Sequence, residues 1–347
     1  MMNRLQPVSG SRAHNACQPG ERYTIGPGVV RAALVQPYVR KPDDPQVRPL
    51  QIYTLDPAAS RQEGSIATVE VPYETLEPGP RGALVTVDSY DRNTQHLVPA
   101  IDLDDRTLLI QNGRKPSPTD YGFHQQMVYA VCMLTYAAFR RALGRDIAWG
   151  FSQPEVQGQQ PRLRILPYAF AGENAWYDHE RGELCFGYYQ AHKTVTGRNL
   201  PNGRVYTSLS HDIIVHEMTH ALLAGLRTCF NLPSGRDVRA FHEGFADLIA
   251  IFQRFSYAQV VQSAVRQAYR RWGDDLDLLT SIARQFGQTT AADGRLRTSI
   301  DMETVIRKPK SYGESGDEPH ELGSILVAAV LNAAVTIFLK KTKRYVR

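Results

Sequence analysis

His216 and His220 stand four residues apart in the run DIIVHEMTHAL, residues 212–222, with Glu217 directly after the first of them. On an α-helix, a spacing of four places two side chains on one face, one turn apart. Two imidazoles so placed can grip one metal ion. Zinc suits such a pair. It lowers the pKa of a bound water to about 7, and a neighbouring carboxylate then takes the proton while the oxygen attacks a carbonyl. Glu217 is the carboxylate in reach. A catalytic zinc generally has three protein ligands, so the pair calls for one more.

FHEGFADLIA, residues 241–250, supplies it. Glu243 and Asp247 are again four apart, on a second expected helix among Phe241, Phe245, Leu248, Ile249 and Ile251. Carboxylates in so apolar a stretch need partners. Glu243 qualifies as the third ligand. Asp247 qualifies as the acceptor for the other ring nitrogen of a ligand histidine, which fixes its tautomer.

The elements that must hold these residues are legible in the hydrophobic pattern. Helical runs cover Ser210–Leu226, Val238–Phe255, Tyr257–Trp272, Asp275–Phe286 and Leu322–Lys340. Before them, residues 51–112 read as short strands: QIYTL, IATVEVPYETL, GALVTVDSY, HLVPAIDL and TLLIQ, separated by Gly, Pro, Asp and Asn. A helix follows over Tyr121–Leu143, with Met127, Ala130, Val131, Leu134 and Ala138 at helical spacing and Gly144 as its C-cap. RLRILPYAF and ELCFGYY read as two strands about a turn near Asp178–Gly182. Strands first and helices later predict an α+β chain. The expected divisions are a poorly ordered lead-in over 1–48, with one short strand near Val29–Val35, a β-rich lobe over 49–208, and a helical lobe over 209–347.

HEMTH followed by EGFAD resembles the thermolysin-like metallopeptidases, the gluzincins. The resemblance implies a two-lobed fold with zinc between the lobes. It implies His216, His220 and Glu243 as ligands, Glu217 as the base, and Asp247 as the partner of a ligand histidine. NAWYD, residues 174–178, is similar to the family's edge strand, where Asn174 and Ala175 would bind a peptide backbone by strand addition. PHELGSIL, residues 319–326, resembles the segment whose histidine donates to the oxyanion, a role that falls to His320, with Asp317 or Glu318 to orient it.

The chain also departs from the family. His242 stands where an Asn usually precedes the third ligand. No tyrosine lies between His220 and Glu243, and Phe230 nearby cannot donate. Arg295 and Arg297 are both candidates for the arginine that holds the substrate carbonyl. Asp212 matches a calcium-ligand position without its acidic companions, so calcium is not expected. The resemblance also implies a longer helical lobe than the residues after His320 supply. The expected activity is zinc-dependent endopeptidase, acting on peptide or protein substrates. The alternative is a weak or inactive relative that binds peptides without cleaving them. An aminopeptidase would need an acidic cluster for the substrate amine and a Gly-x-Met-x-Asn type segment, and neither is present.

Composition narrows the rest. Of 347 residues, 42% are hydrophobic and 22% charged, a mixture that builds an ordinary core. The net charge of +5 is spread without a basic block interleaved with aromatics, which argues against nucleic acid. Cys17, Cys132, Cys185 and Cys229 form no CxxC pair, so a cysteine metal site is not expected and reduced thiols are. The longest apolar run, Ile325–Leu339, includes Asn332 and is shorter than the ~20 residues of a membrane span. No apolar run opens the chain, so a cytoplasmic location is expected.

Overall fold

The structure, a computed structural model, describes residues 32–54, 57, 65–151, 160–191, 203–227, 234–262, 311–314 and 316–342. It is a mixed α+β architecture. An antiparallel hairpin, β1 (Val47–Tyr53) and β2 (Ile66–Pro72), buries every second residue: Leu50 and Ile52 on one strand, Ala67, Val69 and Val71 on the other. That alternation is the mark of a sheet with one face against a core. β3 (Val85–Val87), β6 (Leu163–Ala171) and β8 (Glu183–Gln190) run parallel. β7 (Ala175–Asp178) lies antiparallel beside β8, and β9 (Arg204–Tyr206) pairs with the far end of β8. β6 and β8 are central, so their apolar runs are nearly continuous. The remaining pair, β4 (Tyr90–Asp91) and β5 (His96–Leu97), is a minimal hairpin.

Three expected strands are corrected. TLLIQ is not a strand: α1 (Arg106–Ile110) is a helical turn, because the Asp105 side chain accepts from the backbone N–H of Thr107 and Leu108. In HLVPAIDL only His96–Leu97 joins a ladder. Pro99 has no N–H to give, and the N–H of Ile101 is taken by the Gln125 side chain. Of the strand near Val29–Val35, the described part turns instead, since the N–H of Val35 donates to Ala32 C=O. The rest of that strand lies outside the described residues. So do Cys17, Cys229, Phe230, Arg295, Arg297, the run Asp275–Phe286 and the helix from Tyr257 beyond residue 262.

α2 (Tyr121–Leu143) keeps its expected limits. Asp120 accepts from the N–H groups of Gly122 and Phe123 at its start, and Gly144, at φ 65°, turns the chain out of it in the left-handed region. α3 (His211–Leu226), α4 (Arg236–Phe255) and α5 (Pro319–Thr342) follow. One core joins the hairpin, α2, the parallel strands and α3, and reaches Ala250 of α4. A separate small cluster, Leu248, Val327 and Leu331, joins α4 to α5. Among the described residues no helix is long and apolar enough to cross a membrane. Cys132 and Cys185 are free and buried.

Candidate metal centre

α3 packs against α2, α4 and β7. Ile214, Val215, Met218, Ala221 and Leu222 are buried, which fixes the rotation of the helix and aims His216 and His220 at α4. His216 is 1% exposed and Glu217 6%. On α4, Ala240, Gly244, Ala246 and Leu248 are buried, and Glu243 and Asp247 are carried towards α3.

The contacts between the two helices are short. The Nδ1–H of His216 donates to Asp247 Oδ1 at 2.8 Å. This fixes the tautomer, so His216 Nε2 presents a lone pair on the other side of the ring. That lone pair lies 2.9 Å from His220 Nε2 and 3.0 Å from Glu243 Oε2, and the last two atoms are 3.7 Å apart. Three electron-rich atoms thus converge on one point. A single extra proton can relieve one of these contacts but not all of them, whereas a metal cation relieves all three. Their separations also fit: two ligands with bonds of about 2.05 Å at a tetrahedral centre lie about 3.3 Å apart. His216, His220 and Glu243 can therefore hold a metal ion.

The Glu243 carboxyl is the electrostatic anchor. Burial would raise its pKa, but imidazole donors around it, His320 Nδ1–H among them, outweigh burial and hold it well below the usual carboxylate range. His320 reaches it from the first turn of α5, with Nδ1 3.0 Å from the same Oε2, while the side chain stays 48% exposed. Gly244 and Gly323 make this possible. A Cβ on Gly323 would lie 2.7 Å from Gly244 N and 2.8 Å from Ala240 O, so only glycine lets α5 cross α4 this closely. His242 lies on the other flank, its ring nearly parallel to that of His220 with centroids 6.0 Å apart.

The sequence-predicted residues sort as follows. His216, His220, Glu243, Asp247 and His320 come together. Glu217 is buried beside them on α3. Asp317 pairs with Arg236, and Glu318 accepts from the N–H of Glu321 at the start of α5. Asn174 and Ala175 are on a different element, the start of β7, which packs on α3. The N–H of Gly187 donates to Asn174 C=O. By antiparallel alternation, the N–H and C=O of Ala175 and Tyr177 then point to the outer side of β7, and no described strand pairs there. The Ala175 N–H is held by Asn174 Oδ1 at 2.9 Å.

Sequence reasoning missed the partner of Asp212. Its carboxylate, one turn before His216, is met by Arg254 at 2.5 Å. His211, fully buried beside it, bonds Asp212 through Nδ1 and the Tyr257 hydroxyl through Nε2. Helical arithmetic offered a signal, since Arg254 falls two turns after Asp247 on the same face. Compared with models of protein families the chain matches none, and compared with curated proteins it has no significant match.

Proposed function

We propose that the chain is a zinc-dependent endopeptidase with the two-lobed thermolysin-like arrangement, His216, His220 and Glu243 holding the metal. The convergence of three lone pairs at 2.9–3.7 Å, beside a buried glutamate, carries the reading. Zinc at that point supplies Lewis acidity and a water that is nucleophilic at neutral pH. Glu217 accepts the water proton and later delivers it to the leaving amine. Asp247 keeps His216 in the tautomer that leaves Nε2 free to ligate. Glu243 holds His320 Nδ1–H and so orients the ring, and a protonated His320 would present Nε2–H as the donor for the developing oxyanion. The outer side of β7 suits an extended peptide, which adds as a further strand and lies along α3. Cleavage of peptides rather than small esters follows from that edge.

The test compares the parent with Glu217→Gln. The expected result is about one zinc per chain in both by elemental analysis, and cleavage of a quenched fluorogenic peptide by the parent alone. Equal cleavage by both would remove Glu217 as the base. Zinc with peptide binding but no cleavage in the parent would leave a binding protein on the same fold.

A further inference from the structure

α3 and α4 are joined by three polar rungs: Asp212 with Arg254, His216 with Asp247, and the pair His216 and His220 with Glu243. As the numbers climb on α3 they fall on α4, as antiparallel helices require. At 100° per residue, Glu243, Asp247 and Arg254 lie within about 40° of one another around α4. The rung furthest from the metal point is also the most buried, its side chains 2% and 7% exposed. It is tied to the rest of the molecule. His211 bonds both Asp212 and Tyr257, and Gln253 donates to the Tyr257 hydroxyl while accepting from Thr135 of α2. Three helices therefore meet at a polar knot, in a region where any slip along α4 would strand a charge in the core.

We infer that the Asp212–Arg254 pair sets the sliding register of α4 against α3, and that Arg254 is a positioning residue which holds Glu243 opposite His216 and His220. A shift of one residue along α4 is a rise of about 1.5 Å and a turn of about 100°, and either would open the 3.0 Å contact between His216 and Glu243. The Leu248–Val327–Leu331 packing between α4 and α5 places no such restraint on α3. The inference rests on the metal reading above, and its test separates the two.

Zinc affinity is measured by competition with a chromophoric chelator, well below the melting temperature, beside a thermal melt. Arg254→Met leaves Asp212 buried without its cation, so both stability and zinc affinity should fall, the latter by about tenfold or more. Asp212→Asn with Arg254→Met removes both charges. It should recover melting temperature while zinc binding stays about tenfold weak, because the fold no longer needs the pair but the register does. Arg254→Lys, which keeps a cation opposite Asp212, should restore part of the affinity. A double variant that folds and binds zinc within about twofold of the parent overturns the inference alone. A parent that takes up no zinc overturns the metal reading and this inference with it.

Discussion

Replacing Asp247 by alanine isolates the group that fixes the His216 tautomer. The carboxylate is buried and accepts from His216 Nδ1 at 2.8 Å. A hydrogen bond to a charged group contributes about 1.5–3 kcal/mol. Without it, the imidazole can carry its proton on either nitrogen, and the ring is free to turn away. At about 1.4 kcal/mol per decade, the lost bond weakens metal binding by roughly 10–100-fold. Asp247→Asn keeps an acceptor oxygen in the same place but loses the charge, so its loss should stay under about tenfold. The assay is zinc competition with a chromophoric chelator at fixed pH and ionic strength. The order parent, Asn, Ala is as informative as the size of the steps. An alanine variant that binds zinc within about twofold of the parent would refute the argument that the Nδ1 bond prepares Nε2 for the metal.

Three other outcomes follow from burial, close packing and the outer edge of β7. Buried His124 has its pKa pushed down to about 4 by desolvation, against a free value of 6.5. The unfolded chain therefore takes the proton first, and stability present above pH 6.5 is lost as pH falls towards 4, by about 3 kcal/mol in all. Urea unfolding at pH 7 and pH 5 should show a shallower loss for His124→Gln, and an unchanged slope would exclude His124 as its source. Gly323→Ala drives a methyl into the Gly244 and Ala240 backbone. It should cost about 1–3 kcal/mol and several degrees of melting temperature, and a melt equal to the parent's would deny the close crossing. Asn174→Ala removes an exposed side chain at the outer edge of β7, whose Oδ1 also holds the Ala175 N–H. The melt should hold while KM for a peptide rises about fivefold, the size of one hydrogen bond, and an unchanged KM would separate substrate from β7.

How much of this the sequence revealed depends on how local the cause is. α2 was legible because its apolar spacing is long and its C-cap, Gly144, is sequence-encoded; the N-cap, Asp120, emerged only with the structure. The residues that could hold a metal were legible because pairs four apart must share a helical face. TLLIQ was misread because a run of three apolar residues suits a strand or a helical turn equally, and the arbiter was Asp105, two residues before the segment. The Arg254 pairing and the contact of His320 with Glu243 were hidden for another reason. Each joins residues far apart along the chain, and only the crossing of two helices decides them. Gly244 and Gly323 permit that crossing, yet a lone glycine in a helix gives no sign of which neighbour will come close.

The layering of the helices leaves the His216, His220 and Glu243 cluster with unequal supports. α3 is rooted in the main core, α4 leans on α3, and α5 packs on α4 through a core of three buried side chains. His220 thus stands on fixed masonry, whereas His320 rides on a cantilever two helices removed from it. Resistance to local opening should fall in that order, α3 before α4 before α5, and amide exchange would read it as a gradient. Local opening at the cluster should therefore begin on the His320 side, with His216 and His220 the last to move.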